Sequence, residues 1–193
     1  ELVLNGRNQT VGLRFSSLAI PTGATVTRAY IQFTARKVDH GSASLAIKGQ
    51  TADNPATFTG TAGNLSGRSL TTTAVSWSPP DWGKIGDALA AQQTPELKTV
   101  VQEIVSRPGW SSGNALVIVI TGSGIRTAST YDASPAEAPL LHVEYATAGA
   151  SPFGMRAAPV VKAVEETPRL DLVLHRAGPN PARGELWVDF SLA

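Results

Sequence analysis

Apolar and polar residues alternate with a period of two through most of the first 146 positions, the signature of half-buried strands. Val11, Leu13 and Phe15 are separated by Gly12 and Arg14, and a turn at Pro21 to Gly23 follows. Ala29, Ile31, Phe33 and Ala35 then alternate with Tyr30, Gln32 and Thr34, Leu45 and Ile47 continue the pattern, and Thr71, Thr73, Val75 and Trp77 repeat it. The run Ala115 to Ile120 is apolar on both faces, which predicts a central strand, and Leu141, Val143 and Tyr145 alternate with His142 and Glu144 in a closing one. Many short strands with frequent turns predict an all-β fold, a jelly-roll-like antiparallel β-sandwich.

One stretch follows the helical period instead. Leu97, Val100, Val101, Ile104 and Val105 fall at i, i+3, i+4, i+7 and i+8, one face of a helix of about three turns. Thr94 as N-cap, Pro95 at the first helical position and Glu96 in the first turn give it a start, and Pro108 with Gly109 gives it a stop. This short amphipathic helix is expected to cover one end of the sandwich.

Alternation disappears over residues 147–168, where Ala, Gly and Pro dominate, and a linker is expected there. It returns in residues 169–193. Leu170, Leu172 and Leu174 precede a turn at residues 178–184, and Leu186, Val188, Phe190 and Leu192 follow it. Two strands alone are marginal in water. They are expected to continue in a further domain or to pack on something else, and the strand of Leu186, Val188, Phe190 and Leu192 is the candidate for donation to a neighbour's sheet.

Composition narrows the function. Lys plus Arg against Asp plus Glu is 11 to 10 in residues 1–146 and 5 to 5 beyond, which lacks the basic excess that phosphate binding needs. Nucleic acid is therefore not an expected partner. The longest apolar run is of strand length, so no membrane span is expected. With no Cys, disulfides, thiol catalysis and thiolate metal sites are excluded. The chain begins with Glu1 and shows no signal peptide, so a processed or trimmed chain is expected.

The segments Gln9–Phe15, Ile20–Thr25, Ala29–Phe33, Gly49 with Gln50, Asp53 with Asn54, Pro108–Ala115 and Pro139–Tyr145, in that order, resemble the DNRLRE-type β-sandwich modules of exported bacterial proteins. The resemblance spans most of residues 1–146. It implies an extracellular or cell-surface location and an accessory, non-catalytic role, since related sandwiches bind polysaccharides and calcium. Members usually carry a further strand before the position of Leu2, which implies a shortened N-terminal edge here. The tail, with residues 179–184 (PNPARG) and Phe190 to Leu192, is similar to the start of immunoglobulin-like C-terminal domains, including those that serve as sorting signals in export.

No residue set points to catalysis. His40, His142 and His175 lie far apart and share no metal-ligand spacing. Ser123 between Gly122 and Gly124 lacks the spacing of a nucleophile elbow, and Asp53, Asp81, Asp87, Asp132 and Glu137 form no recognisable acid–base pair. Loop oxygens suit calcium, and Asp53, Asn54 and Asp132 are the candidate ligands. A polysaccharide or other surface ligand would stack on loop aromatics, with Trp82, Trp110 and Tyr131 as candidates. The competing and favoured reading of both tryptophans is that they pack the helix against the sandwich. Two functions stay open: accessory carbohydrate binding or adhesion, and a structural subunit of a filament or surface layer that binds neighbouring copies by β-strand addition.

Overall fold

The computed structural model describes residues 9–131 and 134–147, together with the backbone of residues 172–173 and 191–192. Strands β1 (Gln9–Phe15), β2 (Thr25–Gln32), β3 (Ser44–Gly49), β4 (Val75–Trp77), β5 (Leu116–Ser123) and β6 (Leu140–Ala146) form two antiparallel sheets, one of order β1-β5-β3-β4 and one pairing β2 with β6. The alternation sets the register. Val11, Leu13 and Phe15 lie opposite Ile120, Ile118 and Leu116, and Ala29 and Ile31 lie opposite Val143 and Leu141. All of these side chains enter one core between the sheets. Burying each large aliphatic one favours the fold by about 1.5–3 kcal/mol. The result is the expected all-β sandwich with one short helix.

The continuous apolar run in β5 is explained by a second, smaller core on the other face of the same sheet. Leu116, Ile118 and Ile120 point into the main core, while Val117 and Val119 meet Phe58 and Leu65 from the long loop between β3 and β4. That loop lies so close to β1 that a Cβ at Gly12 would sit 2.6 Å from the Phe58 ring and 2.8 Å from Leu65, so a larger residue there would push both side chains aside. Arg68 fastens the loop to itself. It donates to the Asn64 and Ala56 carbonyls and to Gln50 Oε1, and its guanidinium lies 4.4 Å over the Phe58 ring.

Helix α1 (Lys98–Val105) is shorter than the periodicity suggested, and its start is different. Leu97, not Thr94, occupies the N-cap position. The Thr94 hydroxyl accepts the Ile31 N–H at 2.9 Å, and Glu96 accepts the Ala29 N–H at 2.7 Å as well as the Lys98 N–H at 2.9 Å. The helix also runs beside β2 rather than across an end of the sandwich. Phe33 N–H donates to the Gln92 carbonyl, Thr94 and Leu97 N–H to the Ile31 and Ala29 carbonyls, and Val26 N–H to Gln102 Oε1. The segment from Gln92 to Gln102 thus replaces a neighbouring strand and satisfies the backbone groups that β2 turns away from β6. Inside, Leu97, Val100, Val101, Ile104 and Val105 are buried as the helical period requires. Gly49 admits Ile104, whose Cδ1 would be 2.4 Å from a Cβ at that position.

A carboxylate clip fixes the other side of this helix. Glu103 accepts from the N–H groups of Thr72 (2.8 Å) and Thr73 (3.0 Å) and from the Thr72 hydroxyl (3.0 Å). Partial burial would raise its pKa, but the bonds from Thr73 and Thr72 outweigh this and lower it to about 2 from 4.5. Because the folded value is depressed, the stabilisation is complete above the unfolded pKa of 4.5 and disappears as pH falls through about 2. Glu103→Gln is expected to flatten part of the acid limb of stability between those limits, read as denaturation midpoint against pH. An unchanged acid limb would remove Glu103 from the account.

Beyond the sandwich, β7 (Leu172–Val173) pairs antiparallel with β8 (Ser191–Leu192), Leu172 facing Leu192. Of the predicted donor-strand residues, Leu192 is in this pair, and Leu186, Val188 and Phe190 lie outside the described residues. The predicted linker over residues 147–168 lies outside them as well, save for Thr147. Among the described residues no helix is long and apolar enough to cross a membrane.

Candidate functional site

The loops carrying most predicted ligand residues are tied down by hydrogen bonds within the fold. Asp53 Oδ1 accepts from Arg107 Nε at 2.6 Å, and its backbone carbonyl accepts from Asn114 Nδ2 at 3.1 Å. Asn54 Oδ1 accepts the Ala115 N–H at 2.9 Å, just before β5. These oxygens hold the β3–β4 loop to the helix-to-β5 connection, and the guanidinium beside Asp53 repels any cation. Asp53 and Asn54 therefore do not fit the calcium role expected of them. Asp132, the third expected ligand, lies outside the described residues. Among the described residues no three His, Asp or Glu side chains converge as a metal site would require.

The tryptophans also require correction as sugar platforms. Trp82 is 1% exposed and Trp110 2%, so neither ring offers a face to a ligand. Trp110 Nε1–H donates to the Ile20 carbonyl at 3.0 Å, and Trp82 Nε1–H to the Ala91 carbonyl at 3.0 Å. Buried indoles keep their one donor satisfied in this way. Trp110 closes the core at the C-terminal end of α1, while Trp82 packs near Phe33, ring centroids 6.4 Å apart. Tyr131 is half-buried and packs against the same core.

A third clip was not evident from the sequence. Arg126, 3% exposed, donates to the carbonyls of Pro79, Pro80, Gly41 and Ile125, and its Nη2 lies 3.5 Å from Asp81 Oδ1. Asp39 Oδ2 accepts the Thr127 N–H beside it. Asp81, on the surface, accepts the Gly41 N–H and meets His40 Nδ1 at 3.1 Å. The bond to His40 is the main cause of its lowered pKa, with further help from Gly41 and Arg126. This arrangement holds three loops together at one end of the sandwich.

The β2–β6 sheet differs from these loops in what it leaves accessible. On its outer face His142 stacks on Tyr30 with centroids 4.6 Å apart, Arg28 covers Tyr30 at 5.0 Å, and Glu144 meets His142 at 2.8 Å and Arg28 at 3.5 Å. Glu144 has a lowered pKa, chiefly through the His142 bond and then the Arg28 charge. His142 and Arg28 both lie against the Tyr30 ring, so the strip presents charge beside a ring already in contact. Leu140 and Tyr145, on the same strand, are two of the large apolar residues left exposed.

The backbone of β6 has a second edge, on the side away from β2, where Leu141 and Val143 are buried. Ala29 and Ile31 turn their N–H and C=O groups toward residues 94–97, so their partners Val143 and Leu141 are non-hydrogen-bonded pairs of the β2–β6 ladder. Leu141 and Val143 therefore point their own backbone groups away from β2, and Tyr145 continues the alternation. Among the described residues β2 is the one strand paired with β6. No family model matches the chain, and none of the curated proteins or solved structures compared with it matches significantly. Fold and site together define the described region as an all-β sandwich module with firmly clipped loops.

Proposed function

We propose that this chain is a non-catalytic, structural interaction module of an exported protein, joining chains at the cell surface by β-strand addition. The backbone groups of Leu141, Val143 and Tyr145 that point away from β2, with no partner strand among the described residues, carry this reading. Outward N–H and C=O groups on an edge strand are a template for another strand, whereas the corresponding edge of β2 is closed by Thr94, Glu96 and Gln102. The polysaccharide reading has lost Trp82 and Trp110 to the core and retains a half-buried Tyr131.

Light scattering and negative-stain electron microscopy of the full chain, from micromolar to millimolar concentration, test the proposal against glycan titrations on the same sample. Concentration-dependent oligomers or filaments with no glycan uptake are expected. A strict monomer that takes up a polysaccharide would replace the joining role with ligand binding.

A further inference from the structure

Three neighbouring strips of chain at one end of the sandwich gather most of the large apolar side chains that the fold leaves in water. Residues 35–39 run between residues 82–87 and residues 126–128. On one side Ala35 exchanges backbone bonds with Gly86 and Asp87, and Asp39 with Trp82. On the other, Arg36 N–H donates to the Thr127 carbonyl and Ala35 bridges Ala128. Six large apolar side chains are exposed among the described residues, and four lie on or next to these strips: Val38 at 46%, Ile85 at 61%, Leu89 at 64% and Ile125 at 41%. A lone exposed apolar side chain is ordinary, whereas several on adjoining loops mark an interaction surface.

The charges beside them select the partner. Arg36, Lys37 and Lys84 are exposed on the same strips. Of the acids there, Asp39 is buried and accepts the Thr127 N–H, Asp81 is bound to Gly41, His40 and Arg126, and Asp87 is half-buried. We infer that this end of the sandwich docks on an anionic lipid surface, with Val38, Ile85, Leu89 and Ile125 entering the interface and Arg36, Lys37 and Lys84 meeting lipid phosphates. Apolar tips flanked by basic side chains bind such surfaces through buried area and charge together. A second copy brought here by a two-fold axis would set the basic residues against their own counterparts. An added strand is disfavoured as well, because backbone groups of Ala35, Arg36, Asp39, Trp82 and Gly86 are already bonded within the fold. The strips are also held in place beforehand, by these bonds, by Arg126 and by the Gln32 side chain on the Leu89 carbonyl, so docking costs little ordering. The surface uses none of the residues of the joining role proposed above and is independent of it.

Co-sedimentation of the full chain with vesicles of phosphatidylglycerol and phosphatidylcholine, against vesicles of phosphatidylcholine alone, tests the surface. Uptake is expected on the anionic vesicles and is expected to fall as salt is raised. Ile85→Ser/Leu89→Ser is expected to weaken it at least about tenfold, and Lys84→Glu about tenfold. Leu140→Ser, which removes an exposed apolar side chain from β6, is expected to leave it unchanged. All four replaced side chains are exposed, so the variants should fold, which near-ultraviolet circular dichroism will verify.

Loss in the two variants of this end, with Leu140→Ser binding normally, supports the surface. No uptake on anionic vesicles at any lipid ratio overturns it, as does equal uptake on the neutral ones. Uptake that ignores Ile85→Ser/Leu89→Ser and Lys84→Glu overturns it too. Oligomers dispersed by Ile85→Ser/Leu89→Ser in a chain that takes up no vesicles would give this end to a second copy instead.

Discussion

Trp110→Ala is expected to cost about 3–5 kcal/mol of unfolding free energy, a large fraction of the roughly 5–15 kcal/mol that a domain of this kind has to lose. The indole is 2% exposed and sits where the chain leaves α1, between the turn near Ile20 and the start of β5. Truncation leaves a cavity that neighbours on three elements cannot all close, and it leaves the Ile20 carbonyl without its donor. Trp110→Phe separates the two contributions. It keeps most of the volume and removes the Nε1–H bond, and is expected to cost about 1–3 kcal/mol. Urea denaturation of the three proteins measures both. If Trp110→Ala unfolded at the wild-type midpoint while abolishing uptake of a glycan, the interior placement would be wrong and the platform reading would return.

The second large effect is expected at Arg126. Arg126→Met keeps much of the side-chain volume and removes the whole set of donors, leaving the carbonyls of Pro79, Pro80, Gly41 and Ile125 to find others. Breaking one side of a buried, hydrogen-bonded charged arrangement typically costs about 3–5 kcal/mol. Arg126→Lys is expected to recover little. An ammonium is a compact charge and lacks the planar fork that reaches four carbonyls on three chain segments. Native-state hydrogen exchange adds a local readout: amides of Asp39 and Gly41, and of Trp82 beside them, should exchange faster in the methionine variant than amides of β5. A uniform rise across the molecule would mean that Arg126 contributes to global stability without organising this corner.

Both predictions concern residues that hold loops in place, and the same holds for Asp53, Asn54, Glu96, Gln102 and Glu103. Polar side chains in these loops are used to satisfy backbone groups left unpaired by strand ends and sheet edges. The module's loops are thereby fixed relative to the sheets, which suits a unit that transmits position between neighbours.

The sequence by itself determined the elements and the direction each face points. Period-two alternation at Val11 to Phe15, Ala29 to Ala35 and Leu141 to Val143, and the helical period from Leu97 to Val105, each report which side chains leave water, and burial follows the same side chains. It also showed that Ala115 to Ile120 is covered on both faces, although not that Phe58 and Leu65 from a distant loop supply the second cover. What the tertiary structure decided is the use of each polar group. Thr94 and Glu96 have the local pattern of a helix start, yet the unpaired N–H groups of Ile31 and Ala29, more than 60 residues away, claim their oxygens. Interior packing was already the favoured reading of Trp82 and Trp110, whereas Asp53 and Asn54 sit in loop-like sequence whose oxygens read as free until the packing partners are known. Periodicity is a property of neighbours along the chain, whereas hydrogen-bond satisfaction and edge coverage depend on segments brought together only by folding.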